Sequence, residues 1–419
     1  MGDHRKDHLT VAREVHWGAL LLVALGSWLL PGQARATPAY ARRYDTKCAT
    51  CHYPLPPRLN NTGMLFRSWG FRLPDADENG KLTVKTVPAH GIADAASISA
   101  GFGIRNDQVV PPGESNTTLE LGEVAVIAGT SIGEKLSTQA IFLLRNDEGE
   151  AELENAQMQY NTGAPGHQFS FRAGLIEPFL WMEGTHGRLT LSNTLALSEE
   201  PLIPIGSFPG FALGLNQVEM EAGYTYSKLK NGKMWTTMVS AAVLNGVDET
   251  GAPAFQNTAD GVDVLLQAIE LFGASNTLGG FYYKGNTEID PTGLLVPPGP
   301  FKDRFTRYGA MGNYVVRDRV DLVAAYVGGE DQSDEVSAHV LSTGAYGQID
   351  VTIRERWIAD VRYDYLDPDR NTADDIVRAE VVGTTYQAGD NVFVGAEYQQ
   401  TDDAGAKTHG IAAFVRLVY

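Results

Sequence analysis

After Leu30 no apolar run approaches the roughly 20 residues that a membrane-spanning helix needs, yet apolar and polar residues alternate over segment after segment. Trp357, Ala359, Val361, Tyr363 and Tyr365 interleave with Ile358, Asp360, Arg362 and Asp364. A period of two gives an extended strand one apolar and one mostly charged face. Phe169, Phe171, Ala173 and Leu175 repeat the pattern, as do Val218, Met220, Ala222, Tyr224 and Tyr226. Asn231-Gly232, a pair suited to a tight hairpin turn, then leads to Trp235, Thr237, Val239, Ala241 and Val243. Val392, Val394, Ala396 and Tyr398 follow later. In a soluble sandwich the charged face meets water and the apolar face meets a second sheet. In a membrane barrel the apolar face meets lipid and the charged face lines a polar lumen. A closed barrel is the one way across a bilayer left to a chain without spanning helices.

Ile411, Ala413, Val415, Leu417 and Tyr419 also alternate, and this segment resembles the last strand of bacterial outer-membrane proteins, where a terminal aromatic marks the chain for assembly. Roughly 335 residues follow Thr83. At about 20 residues per strand and connection they predict a barrel near 16 strands. Short turns such as Lys230-Asn231-Gly232-Lys233 contrast with expected long loops at Asp248 to Asp260, Asn286 to Asp303, Glu330 to Glu335 and Asp367 to Asp375. The expected class is therefore all-β: a transmembrane outer-membrane β-barrel spanning 81–419, carrying a small α-helical segment at its N-terminal side. Pro74 to Gly80 reads as the loop between the two parts.

The first 36 residues read as an export leader. Arg5, Lys6 and Arg13 supply a basic start, Gly18 to Leu30 an apolar stretch, and Ala34-Arg35-Ala36 a small-x-small cleavage site, so the mature chain is expected to begin at Thr37. An uncleaved anchor is the alternative, and either form leaves the cytoplasm. The whole chain has a formal charge of −18, and removing a leader with four basic and three acidic residues leaves it at −19. Such a surface repels nucleic acid and tolerates metal cations.

Cys48-Ala49-Thr50-Cys51-His52 carries the chemistry. C-x-x-C-H is the attachment pattern of a c-type haem: each thiol bonds a porphyrin vinyl group and the histidine ligates the iron. These are the only two cysteines in the chain. A thioredoxin-like redox pair would need a βαβ surround that the sequence lacks, and a disulfide across two residues would be strained. One covalent haem c on Cys48 and Cys51, with His52 as its proximal iron ligand, is the expectation for a cytochrome segment at 37–80. So short a segment rarely forms an independent core, so it is expected to plug the mouth or lumen of the barrel. Leu65, Phe66 and Trp69 share a face of a short helix and, with Phe71, are candidates to pack on the porphyrin; the alternative is packing on the barrel wall. Arg42, Arg43, Arg58, Arg67 and Arg72 are candidates to pair with haem propionates or with lumen carboxylates. For the distal iron site the nearest methionine is Met64 and the nearest other histidine His90, while His167, His186, His339 and His409 lie further along, and an open site is the alternative.

The runs Ala39-Tyr40-Ala41-Arg42-Arg43-Tyr44, Cys48 to His52, Pro57-Arg58-Leu59-Asn60-Asn61-Thr62-Gly63 and Phe66-Arg67-Ser68-Trp69-Gly70-Phe71 together resemble the fused monohaem cytochrome–porins of the outer membrane. The best-known group is the Cyc2-type iron oxidases of iron-oxidising bacteria. The resemblance spans nearly the whole chain. It implies that Cys48 and Cys51 attach haem, that His52 ligates it, and that an electron passes from extracellular Fe(II) to a periplasmic c-type cytochrome. Such a protein would be an iron:cytochrome c oxidoreductase lying in outer-membrane lipid. No nucleophile, zinc-protease or phosphate-loop pattern competes with a one-electron role. Two acidic clusters, Glu330, Asp331, Asp334 and Glu335, and Asp367, Asp369, Asp374 and Asp375, are candidates to attract Fe²⁺ or to be plain solvated loops. A conduit for another donor, one running outward, a diffusion porin with a structural haem and a soluble exported cytochrome remain as alternatives.

Overall fold

In the segment Trp357–Asp367 the expected faces are resolved, and they are inverted relative to a soluble protein. Val361 is 54% exposed, with Trp357 and Tyr363 also outward, while Asp360, Arg362 and Asp364 are buried. Phe169, Phe171, Met220, Leu266, Tyr282, Tyr326, Ile349 and Val382 are outward in the same way, and Gln157, Glu219, Asp263, Arg307, Asp321 and Asp350 point inward. A water-facing surface of this kind would be heavily penalised at about 25 cal/mol per Å² of apolar area. A lipid-facing one is favoured, and the inward charges then line a lumen.

The computed structural model describes residues 39–56, 58–76, 82–89, 95–110, 115–145, 151–178, 190, 192–195, 213, 216–230, 233–246, 262–289, 301–333 and 338–418. The expected leader, His90, His186, Asn231-Gly232 and Tyr419 lie outside them. Among the described residues no helix is long and apolar enough to cross a membrane.

Two short helices come first, α1 (Ala39–Tyr44) and α2 (Asn61–Ser68), with the cysteine segment between them, followed by a small hairpin of β1 (Leu73–Ala76) and β2 (Leu82–Lys85). Sixteen strands then close a barrel: β3 (Ala96–Val110), β4 (Ser115–Ile132), β5 (Leu136–Arg145), β6 (Glu152–Ala164), β7 (His167–Ile176), β8 (Gln217–Lys230), β9 (Lys233–Leu244), β10 (Asp263–Phe272), β11 (Asn276–Ile289), β12 (Phe301–Val316), β13 (Val320–Ser333), β14 (Ala338–Arg354), β15 (Trp357–Asp367), β16 (Val377–Gly389), β17 (Val392–Asp403) and β18 (Ala406–Val418). Each strand is antiparallel to its neighbours in the chain. β18 pairs β3 from Lys407 opposite Val110 to Val418 opposite Ser99, which removes both sheet edges. The strand number, the all-β class and the small helical part are those the sequence predicts, and the closed lipid-facing barrel excludes the soluble alternative.

Among the described residues, connections of two or three residues gather at the end of the barrel where β3 begins, 133–135, 165–166, 273–275, 317–319, 355–356 and 390–391, with 404–405 alone at the other end. The opposite end carries the long connections 177–216, 245–262, 290–300 and 368–376. This asymmetry is that of an outer-membrane barrel with its short turns in the periplasm. Three sequence expectations need correction. Asn286–Ile289 and Phe301–Asp303 are paired strand, Asn286 opposite Arg304 and Thr287 opposite Asp303, so the loop expected from Asn286 to Asp303 is shorter than its polarity suggests. Glu330 and Asp331 are not in a loop: β13 runs to Ser333, and the buried Asp331 pairs Arg307 at 2.7 Å inside the lumen. Polarity here marks a lumen face, not a strand end. Pro74 to Ala76 is strand, with Pro74 opposite Val84 in a two-stranded sheet whose outer edge tolerates a missing N–H. The 368–376 connection is a loop as expected, and its acids bond their own turn: Asp369 accepts from Asn371 N (3.0 Å) and Thr372 Oγ1 (2.8 Å).

Candidate functional site

The cysteine segment folds on its own backbone before it touches the barrel. A single tight helical turn, Cys48–Thr50, is closed by Cys51 N and His52 N donating to Cys48 O at 3.1 and 3.0 Å. Asn60 ties this turn to α2. Its Oδ1 caps the helix by accepting from Gly63 N (3.0 Å), its Nδ2 donates to Thr50 O (3.1 Å), and its backbone N donates to Cys51 O (2.9 Å). Gly63 lets the helix come this close: a Cβ there would stand 2.2 Å from Cys51 O. Gly63→Ala is expected to push α2 off the turn and cost about 1–3 kcal/mol. Limited proteolysis would show it as faster cleavage of residues 39–73, with the barrel's heat-modifiable gel mobility retained.

α2 ends where Gly70 takes a left-handed φ of +65° and Phe71 N returns to Phe66 O at 2.8 Å. That reversal splits the four apolar residues singled out in the sequence. Met64, Leu65 and Trp69 join a buried cluster with Leu244, Leu271, Phe281 and Phe305 of the wall. Phe66 and Phe71 turn the other way and stack with Tyr40 and Tyr44, with ring centroids 5.0–5.9 Å apart. Each such pair contributes about 0.5–1.5 kcal/mol beyond its burial.

The segment is bonded to the wall at several places around the ring. Ala39 N donates to Ser97 Oγ of β3 (2.7 Å), Arg43 to Ser131 Oγ of β4, and Arg72 Nη2 to Leu136 O of β5 (2.8 Å). Gln159 and Asn161 of β6 donate to Ser68 O (2.6 and 3.0 Å), and Asn61 Nδ2 donates to Gly273 O and Asn276 O (both 3.2 Å). Arg58 pairs Asp321 of β13 at 2.8 Å and Asp350 of β14 at 2.7 Å. These partners lie toward the short-turn end, so the segment is a plug at that mouth. The arginines thereby separate in role. Arg58 takes lumen carboxylates, Arg42, Arg43 and Arg72 take carbonyls or a serine, and Arg67 faces a cavity.

That cavity, about 730 Å³, lies between the plug and the β3, β17 and β18 wall, within the roughly 300–1,000 Å³ range of cofactor sites. Cys48, Cys51 and His52 line it with Tyr44, Phe66, Phe71, Ile141 and Phe393. No methionine or second histidine lines it among the described residues; Met64 sits in the wall cluster. Thr190, Ser192 and Asn193 reach it from the long connection after β7, held by Arg362 of β15, whose Nη1 donates to Ser192 O at 2.9 Å and Nη2 to Asn193 O at 3.0 Å. Sequence reading missed this inward segment. Its one signal was 40 residues, 177–216, without a strand period.

Burial pushes the Cys51 thiol up to about 11 and raises Cys48 as well. A nucleophilic redox pair needs the opposite shift. The two sulfurs are free thiols, not a disulfide. His52 Nδ1 lies 3.1 Å from Arg58 O. A carbonyl only accepts, so Nδ1 carries the proton and Nε2 the lone pair that a metal takes. Arg67 has Nη1 buried with no hydrogen-bond partner, and burial lowers its basicity to about 10 against the pull of the nearby Glu177. Two thiols, an oriented imidazole, an apolar aromatic wall and one guanidinium fit a haem, with its vinyl groups, iron, ring and propionate edge.

No family model and no curated protein matches the chain. Among solved structures it is similar to an anion-selective porin from Comamonas acidovorans, with a TM-score of 0.53 at 9% identity over 77% of this chain and 98% of that one. It is also similar to in-vitro folded OmpT, an outer membrane protein of Vibrio cholerae, with a TM-score of 0.50 at 13% identity over 77% and 97%. At these identities the likeness establishes the porin-like barrel fold alone.

Proposed function

We propose that this barrel is an outer-membrane electron conduit, a fused cytochrome–porin that takes an electron from extracellular Fe(II) and delivers it to a periplasmic c-type cytochrome. One observation carries the reading: the C-x-x-C-H turn opens onto a haem-sized cavity between a plug and the wall at the short-turn mouth of a membrane barrel. A haem c bound there supplies a one-electron carrier. Cys48 and Cys51 would hold it by thioether bonds and His52 would ligate it through Nε2. Phe66, Phe71, Tyr40 and Tyr44 keep that side of the cavity apolar and limit water. The plug's bonds to the wall keep the lumen shut to bulk diffusion. Cys48 Sγ sits 3.9 Å from Asp390 O in the turn 390–391, at the rim where a periplasmic partner would dock. Fe²⁺ as the donor rests on the resemblance of residues 39–71 to Cyc2-type iron oxidases and on the acidic balance of the chain.

Stopped-flow absorbance of the purified oxidised protein, mixed anaerobically with Fe²⁺, tests this. Rapid appearance of a reduced c-type spectrum that saturates with Fe²⁺ is expected. A haem reduced by dithionite but not by Fe²⁺ would remove iron as donor and favour another donor or outward transfer.

A further inference from the structure

We infer that Arg58 is a positioning residue for His52, through which the barrel wall sets the orientation and basicity of the proximal ligand. The inference deepens the haem reading above and rests on it. Asp321 and Asp350 are direct cross-strand partners on β13 and β14. Like charges placed opposite each other destabilise a sheet, and both carboxylates are almost fully buried, at 1% exposure each. Their second oxygens are already engaged: Asp321 Oδ1 accepts from Asn313 Nδ2 (2.9 Å) and Asp350 Oδ1 from Gln348 Nε2 (2.6 Å). The remaining pair of oxygens forms a fork that the buried Arg58 guanidinium fills, with Nη2 on one and Nη1 on the other. The cation between them offsets the repulsion of two buried carboxylates side by side.

The other end of Arg58 is the part that acts on the site. Its carbonyl accepts the His52 ring Nδ1–H at 3.1 Å and Tyr53 N at 3.2 Å, and the adjacent Leu59 forms an isolated β-bridge with His52. The residue is thus fixed at its side chain by two barrel strands and at its backbone by the imidazole. A carbonyl held against a ligating histidine's Nδ1–H fixes the ring plane and strengthens the histidine as a donor, which lowers the reduction potential of the iron it binds. Loosening the fork loosens that carbonyl.

Arg58→Lys keeps the charge and loses the two-pronged grip. The test compares the wild type, Arg58→Lys, Asp321→Asn and Asp350→Asn as full-length purified barrels. Covalent haem is measured by pyridine haemochromogen absorbance after denaturation, the ferric g values by low-temperature electron paramagnetic resonance, and the midpoint potential by spectroelectrochemistry. Expected are unchanged covalent haem, shifted g values in all three variants, and a raised potential in Arg58→Lys although no charge has changed. Wild-type g values and potential in Arg58→Lys would overturn the inference and leave the haem reading intact. If Arg58→Lys does not assemble, unshifted g values in both asparagine variants overturn it equally, since g values follow ring orientation and ligand strength more than distant charge. No covalent haem in the wild type would overturn the haem reading itself, and this inference with it.

Discussion

In planar bilayers the intact protein should give no porin-like conductance steps, and a variant lacking residues 37–85 should give large ones. The lumen of a 16-stranded barrel is wide enough for an aqueous channel, and here the plug sits in its short-turn mouth. The plug is bonded to β3, β4, β5, β6, β13 and β14 and to the turn between β10 and β11, so it is anchored at several separate places on the ring, with the cavity on its β17 and β18 side. Leu65 and Trp69 are almost wholly buried, at 0% and 1% exposure, and each holds the plug by roughly 1.5–3 kcal/mol. Opening by thermal escape is then rare. The deletion variant should keep its heat-modifiable mobility, because the barrel's ladder closes without the plug. It should melt at a lower temperature, because Leu244, Leu271, Phe281 and Phe305 lose their apolar partners. Large, unblocked conductance from the intact protein would show a diffusion pore and end the conduit reading.

Replacing both Cys48 and Cys51 with serine should abolish covalent haem completely while leaving the barrel assembled. The two sulfurs form no disulfide, so no cross-link is lost from the unfolded chain. Both are half-buried, and swapping a thiol for a hydroxyl in such a place costs on the order of 1 kcal/mol, small beside the plug's other bonds. The chemical loss is total, because a serine hydroxyl makes no thioether to a vinyl group. In-gel haem peroxidase staining after full denaturation reads the covalent bond alone: strong in the wild type, absent in the double variant. Either cysteine changed singly should leave one thioether and a weaker stain. A double variant that still stained, or a wild type that never did, would remove haem attachment from the function of this turn.

Much of this molecule is legible in its sequence because a strand writes its two faces into alternate letters. Trp357 to Tyr365 read correctly as one apolar and one mostly charged face, and the length left for the barrel, at about 20 residues per strand and connection, gave the strand number. The direction of the faces was not legible, since a sandwich has the same alternation; only burial of Asp360, Arg362 and Asp364 decides it. Polar runs misled where a strand continues past the apolar belt, as at Glu330 and Asp331. Cys48, Cys51 and His52 stood out because their chemistry is local. Their supports did not, because a barrel brings together residues remote in the chain. Arg58 and Asp350 are 292 positions apart, and Arg362 and Ser192 are 170 apart. No periodicity marks a lumen-facing carboxylate as the partner of a plug.

The plug's seat is built from strands at both ends of the chain. Asp321 and Asp350 belong to the last third, Ser97 and Ser131 to the first barrel strands, and β18 must find β3 before the wall is whole. The plug therefore gains its full set of bonds only when strands from both ends of the chain are in place. On the haem reading, this orders two events in the cell. The cysteine turn is fully open to an attaching enzyme while the chain waits unfolded, and is half-buried against the wall once the ring shuts.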